Sequence, residues 1–117
     1  MIDDGAITAL SRFLDLAAIR SELVMSNMAN IDTPGFRTKD LNFRQELERA
    51  GNLSYADFSP MVQQVQGLIE RPDGNNVSLE REGLLLADTQ LRFNTAIQLL
   101  RDRLKLLSTA IHEGSTS

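Results

Sequence analysis

Apolar residues recur at steps of three and four over two long stretches of this chain, one near each end. From Ala6 to Ile31 the line runs Ile7, Leu10, Leu14, Ala17, Ser21, Val24, Met28 and Ile31, an alternation that predicts an amphipathic helix with a coiled-coil-like seam. Phe13, Leu16, Ile19 and Leu23 widen the apolar surface beyond that line, so one partner helix would leave part of it wet. From Ser78 to Glu113 the set Leu79, Leu84, Leu86, Leu91, Phe93, Ile97, Leu100, Leu104, Leu107 and Ile111 predicts a second helix. Ser78 is placed to cap its start, Glu80 and Glu82 suit its positive end, and Arg101, Arg103 and Lys105 suit its later half. Fully helical, this stretch would be about 54 Å long, more than a compact domain of this size needs. Gly114 is expected to end it.

Two breaks punctuate the pattern. In Asp32-Thr33-Pro34-Gly35-Phe36, Pro34 disfavours helix at Thr33 and Gly35 frees a sharp turn, while Asn27 and Asn30 can cap the preceding carbonyls. In Arg71-Pro72-Asp73-Gly74-Asn75-Asn76 every residue type after the arginine favours a turn. Between the breaks the pattern weakens. A short helix from about Leu41 to Ala50 is expected, then turn or extended chain over Gly51–Pro60, including Tyr55. Met61–Ile69 is left open between extended chain and a turn or two of helix. Residues 37–75 are the stretch expected to be mobile or ordered by a partner.

The predicted fold is therefore mainly α, with two long terminal helices packed as an antiparallel coiled-coil-like hairpin and a short irregular or partly helical middle. Residues 1–36 and 78–117 form one packing unit, and residues 37–77 a variable insert. Two helices enclose little core, so the missing burial is expected from neighbouring copies or related proteins.

Composition narrows the chemistry. The 117 residues are 42% hydrophobic but only 5% aromatic, which suits helices better than sheet. A net charge of −4, with acids and bases mixed along the chain, offers no basic arm for nucleic acid. Cysteine is absent and His112 is the only histidine, so no zinc site or thiol nucleophile is expected, and no cofactor. Asp3/Asp4 and Glu80/Glu82 read as helix-start acids rather than a catalytic pair. Ser21, Ser26 and Ser78 lack a base partner and a nucleophile elbow. An enzyme is not expected. No segment is apolar enough to span a bilayer, and the start lacks the pattern of a cleaved secretion signal.

The run Asn27-Met28-Ala29-Asn30-Ile31-Asp32-Thr33-Pro34-Gly35-Phe36-Arg37, with Arg20 before it and Phe43 after it, resembles the N-terminal signature of the bacterial flagellar rod, hook and hook-associated axial proteins. Asp73–Glu82 and Leu91–Leu100 look most like the short proximal rod members of that family. The resemblance covers residues 7–43 and 73–111 and is weak between them. It implies a non-enzymatic subunit of the basal body rod in the periplasmic space, exported by the flagellar type III apparatus without a cleaved signal. Implied partners are other proximal rod proteins, the ring-rod adaptor, the inner-membrane ring protein, the export apparatus and further copies of itself. An export-linked helical adaptor, or a sister rod protein at the ring-rod junction, is the alternative.

Carried onto this sequence, the resemblance implies a rigid first turn shaped by Asn27, Asn30, Thr33, Pro34 and Gly35, with Phe36 as an apolar contact. A second turn would be shaped by Gly74, Asn75 and Asn76. The helix-packing surface would comprise Leu10, Leu14, Ala17, Val24 and Met28 against Leu86, Phe93, Ile97, Leu100, Leu104 and Leu107, or either set against an adjacent subunit.

Overall fold

A computed structural model describes residues 4–53 and 57–116, so the reading of Tyr55 lies outside the described residues. Among the described residues the elements follow in the order α1 (Asp4–Ala29), β1 (Lys39–Asp40), α2 (Phe43–Asn52), β2 (Gln63–Gln64) and α3 (Leu79–Thr116). Helices α1 and α3 run antiparallel: Arg20 and Arg81 line one hollow near the connected end, and Ala6 and Leu106 line another near the open end. Extents of 71 × 26 × 18 Å and a radius of gyration of 18.6 Å describe a rod, against about 13 Å for a compact chain of this length. Its surface of 7876 Å² likewise exceeds the roughly 6300 Å² usual for a monomer of this mass.

α1 stops at Ala29, two residues before the apolar line that marks it in the sequence, because the turn chemistry of Asn30 takes over. Asn30 Nδ2 donates to Ser26 O at 2.8 Å and its Oδ1 accepts from Thr33 Oγ1 at 3.0 Å. α3 starts as its cap requires: Ser78 Oγ accepts from Arg81 N at 3.2 Å, and Ser78 O accepts from Glu82 N at 3.0 Å. Ser78→Ala is expected to lower stability by about 1 kcal/mol, read as a shift in urea midpoint at unchanged slope. Gly114 does not end this helix, which runs on to Thr116. A glycine lowers helix propensity by about 1 kcal/mol without forbidding helix.

The inward faces differ from the leucine lines. On α1 the line turned inward is Leu10, Phe13, Ala17, Arg20, Val24 and Asn27, with Ala17, Val24 and Asn27 fully buried and Leu16 buried beside them. On α3 the fully buried residues are Glu82, Thr89 and Ala96, one per heptad, with Leu86 and Phe93 half-buried between them and Leu100 and Leu107 half-buried beyond. Meanwhile Leu84, Leu91 and Leu106 are 74%, 66% and 64% exposed. Helical periodicity locates a face by its large apolar residues, and here polar and small residues occupy part of the seam.

The middle, expected to be mobile or ordered by a partner, is folded against α1. Asn42 caps α2, its Oδ1 accepting from Gln45 N at 3.1 Å, and Ala50 is buried. α2 runs on through Gly51 to Asn52, where turn or extended chain was expected. Glu46, 2% exposed, accepts two bonds of 2.7 Å from Arg49 Nη1 and a third from Met61 N. That carboxylate ties the chain after α2 back to it. Residues 61–69 then form no helix: Gln63 and Gln64 pair antiparallel to Asp40 and Lys39, and the chain bends at Gly67. Val65 N donates to Thr38 O at 2.9 Å, which carries the backbone pairing one step beyond the two glutamines.

Candidate assembly interface

The two turns are a single joint. Gly35 and Gly74 both adopt left-handed backbone, at φ 75° and 87°, which favours glycine. They meet so closely that a Cβ on Gly74 would lie 3.3 Å from the Gly35 Cα. Gly35 N donates to Asp73 O at 2.8 Å, and Asn76 N to Phe36 O at 3.3 Å. Asn75 is completely buried and spans the gap: its Nδ2 donates to Asn30 O at 2.9 Å and Thr33 O at 2.8 Å, while its Oδ1 accepts from Val77 N at 2.8 Å. Asn76 Oδ1 accepts from Thr38 N at 2.7 Å. Asn75→Ala leaves two carbonyls and one N–H without this partner. It is expected to cost about 2 kcal/mol, measured by chemical denaturation.

Asn27 acts one layer deeper than the turn. Its amide accepts from Lys39 N at 3.1 Å and donates to Lys39 O at 2.8 Å, holding the chain after the turn against α1. Thr33, Pro34 and Gly35 are exposed, and Phe36 is half-buried. Sequence reasoning missed Arg71. Its Nη2 donates to Ile31 O and its Nη1 to Val77 O at 3.1 Å. Arg37 Nη1 adds a bond to Gly74 O at 3.3 Å and a pair with Glu70 at 3.2 Å.

Behind the joint lies an ionic layer that was also missed. Asp40 Oδ2 accepts from Arg20 of α1 at 3.1 Å and from Arg81 of α3 at 2.8 Å, while its Oδ1 accepts from Leu41 N at 2.8 Å. Arg81 also pairs with the fully buried Glu82 at 2.8 Å. Arg20 lies 6.0 Å from the ring centroid of Phe43, which makes an edge contact of 5.0 Å with Phe13. The signature positions Arg20 and Phe43, separate in sequence, thus meet in space.

Beyond this layer the hairpin opens. Two hollows between α1 and α3, about 440 and 370 Å³, follow one another and share Leu10 and Leu99. The first is walled by Phe13, Leu91 and Thr95, the second by Ala6, Ala9 and Leu106. α3 then continues past Leu106 to Thr116, about 15 Å further. Ile111 there is 62% exposed. Of the residues expected to pack between helices, Ala17 and Val24 are buried. Leu10, Leu14, Met28, Leu86, Phe93, Ile97, Leu100 and Leu107 are half-buried, and Leu104 is exposed. Among the described residues no group of histidine and carboxylate side chains could hold a metal, and no helix is long and apolar enough to cross a membrane.

A stiffly jointed helical hairpin whose far half leaves its apolar flanks uncovered defines a class, the helical assembly module. The comparisons with known proteins agree. The chain is 29% identical to the flagellar basal body rod protein FlgB of Yersinia ruckeri, over 95% of this chain and 96% of the relative. It is 29% identical to FlgB of Salmonella typhimurium, over 96% of each, and 24% identical to FlgB of Bacillus subtilis, over 94% of this chain and 95% of the relative. The Yersinia ruckeri alignment runs to 132 positions and the Salmonella one to 133, more than the 117 residues here, so both hold gaps on this side. No protein-family model matches the chain. This end-to-end likeness to flagellar basal body rod proteins supports assignment of the chain to the bacterial flagellar rod and hook axial family.

Proposed function

We propose that this protein is a structural, non-enzymatic subunit of the proximal rod of the flagellar basal body. The observation that carries the reading is the end-to-end similarity to rod proteins from distant bacteria, joined to an apolar groove that the chain does not fill. In this reading residues 1–36 and 78–117 act as one packing unit and residues 37–77 as its variable insert. Asn27, Asn30, Thr33, Pro34, Gly35 and Phe36, with Gly74, Asn75 and Asn76, hold the hairpin at the angle that assembly needs. Leu10, Leu14, Ala17, Val24 and Met28, with Leu86, Phe93, Ile97, Leu100, Leu104 and Leu107, divide their packing between the chain's own hairpin and its neighbours.

Assembly is by helix packing into a tubular wall that transmits torque near the inner-membrane ring. The partners are other proximal rod proteins, further copies of this chain, the ring-rod adaptor, the inner-membrane ring protein and the export apparatus that delivers the subunit to the periplasmic rod. A density map of basal bodies isolated from the native organism tests this. Expected is a subunit in the continuous rod wall, with α1 and α3 along the axis. Finding the protein only on the export apparatus, with the rod wall complete without it, would replace the proposal with the adaptor reading.

A further inference from the structure

We propose that Arg71 is the positioning residue that sets the splay between α1 and α3. The reasoning begins with where the hairpin is tightly packed and where it is not. Near the joint, Val24, Asn27, Val77 and Glu82 are buried. Towards the open end the helices are separated by the two hollows, and Leu10, Phe13 and Leu100 are only half-buried. Loose contact of that kind does not fix an angle, because dispersion attraction falls steeply once atoms part. The angle is therefore set at the connected end.

At that end the Arg71 side chain, like that of Asn75, bonds to backbone beside both helices' termini. The Arg71 guanidinium donates one bond to Ile31 O, just past the end of α1, and another to Val77 O, just before the Ser78 cap of α3. A planar fork holds two acceptors at a set separation, which a single ammonium does not. The backbone of the same residue closes the second turn: Arg71 N donates to Asn75 O at 2.8 Å, and Gly74 N donates to Arg71 O at 2.9 Å. The fork is thus anchored on the loop whose Asn75 also binds Asn30 O and Thr33 O. Leverage makes the position matter. The 26 residues of α1 extend about 39 Å from the joint, so 10° of play there moves the far end by about 7 Å, enough to misplace a helix against a neighbour.

The test uses the full chain in its free form and does not depend on the rod assignment. The sequence has no cysteine, so Thr8→Cys and Arg101→Cys on exposed faces of α1 and α3 accept spin labels selectively, and pulsed electron resonance reads the distance between them. The parent is expected to give one narrow distribution. Arg71→Ala, with helicity unchanged by circular dichroism, is expected to broaden it by about 6 Å, the movement that about 10° gives at the labelled position, and Arg71→Lys, which retains charge without the fork, to broaden it as well. Ala50→Gly, which weakens α2 away from the joint, is the control that should keep the parental width despite lower stability. A parental width in Arg71→Ala overturns the proposal. So does restoration of that width by lysine, or loss of helicity in both variants, since Arg71 would then act through its charge or as a folding residue. If only Arg71→Ala loses helicity, the width of Arg71→Lys decides by the same criterion.

Discussion

Gly74→Val is expected to open the joint and abolish incorporation into rods, with Gly35→Val close behind. Valine at a positive φ is strained by about 1–2 kcal/mol, and its branched Cβ makes it one of the residues least able to adopt that conformation. At Gly74 the strain is compounded, because the new Cβ would sit 3.3 Å from the Gly35 backbone, which has no flexible end to move away. Separating the two turns would also break the bond from Gly35 N to Asp73 O and strip Asn75 of its acceptors. The combined loss is about 3 kcal/mol or more. At Gly35 a Cβ would meet nothing within 4 Å, so only the strain and its consequences remain. Gly51→Ala is the contrasting substitution. Gly51 lies inside α2 with open space around it, so alanine should raise stability by up to about 1 kcal/mol and leave assembly intact. Complementation of a rod-deficient strain, alongside urea melts of the purified chains, checks all three. Equal assembly by Gly35→Val and Gly51→Ala would remove the case for a special turn.

Leu91→Asp combined with Leu106→Asp is expected to leave the hairpin folded and abolish incorporation. Both leucines are largely exposed in the single chain and stand at opposite ends of the apolar groove. Exposed substitutions ordinarily change stability by about 0.5 kcal/mol or less, so the thermal midpoint should stay within a few degrees of the parent. A neighbouring helix laid into the groove would have to desolvate two carboxylates, each costing several kcal/mol when unpaired. Incorporation, scored by immunoblot of purified basal bodies, should fall at least tenfold. Leu100→Asp with Leu104→Asp should also block incorporation, but with a measurable loss of stability, because Leu100 is half-buried in the chain's own seam while Leu104 is exposed. Normal rods containing the Leu91/Leu106 double variant would show that this groove is not a packing surface of the rod.

The joint illustrates how far local reading reaches. Pro34-Gly35 and Asp73-Gly74-Asn75-Asn76 announce turns through residue chemistry alone, and both glycines have the positive φ such turns use. That Gly35 and Gly74 lie against each other is visible only in the fold, since nothing local couples the two segments. Arg71 reads in the sequence as a charge beside a proline. Its role appears only when Ile31 O and Val77 O are brought within reach of the same guanidinium. The resemblance did mark Arg20 and Phe43, but the carboxylate that joins Arg20 to α3, Asp40, carried no signal because it lies in a weakly patterned stretch.

By itself the sequence determined the two long helices and the sites of the two turns, since each follows from residue spacing and backbone preference within a few neighbours. Only tertiary structure decided which helix faces turn inward. Arg20, Asn27, Glu82 and Thr89 occupy the seam while Leu84 faces outward. A buried amide or ion is tolerable only where its partners come to meet it, and the partners of Asn27 and Arg20, the Lys39 backbone and Asp40, arrive from beyond the turn. Hydrophobic periodicity counts what each residue prefers alone, whereas burial of a polar group depends on what distant chain can supply.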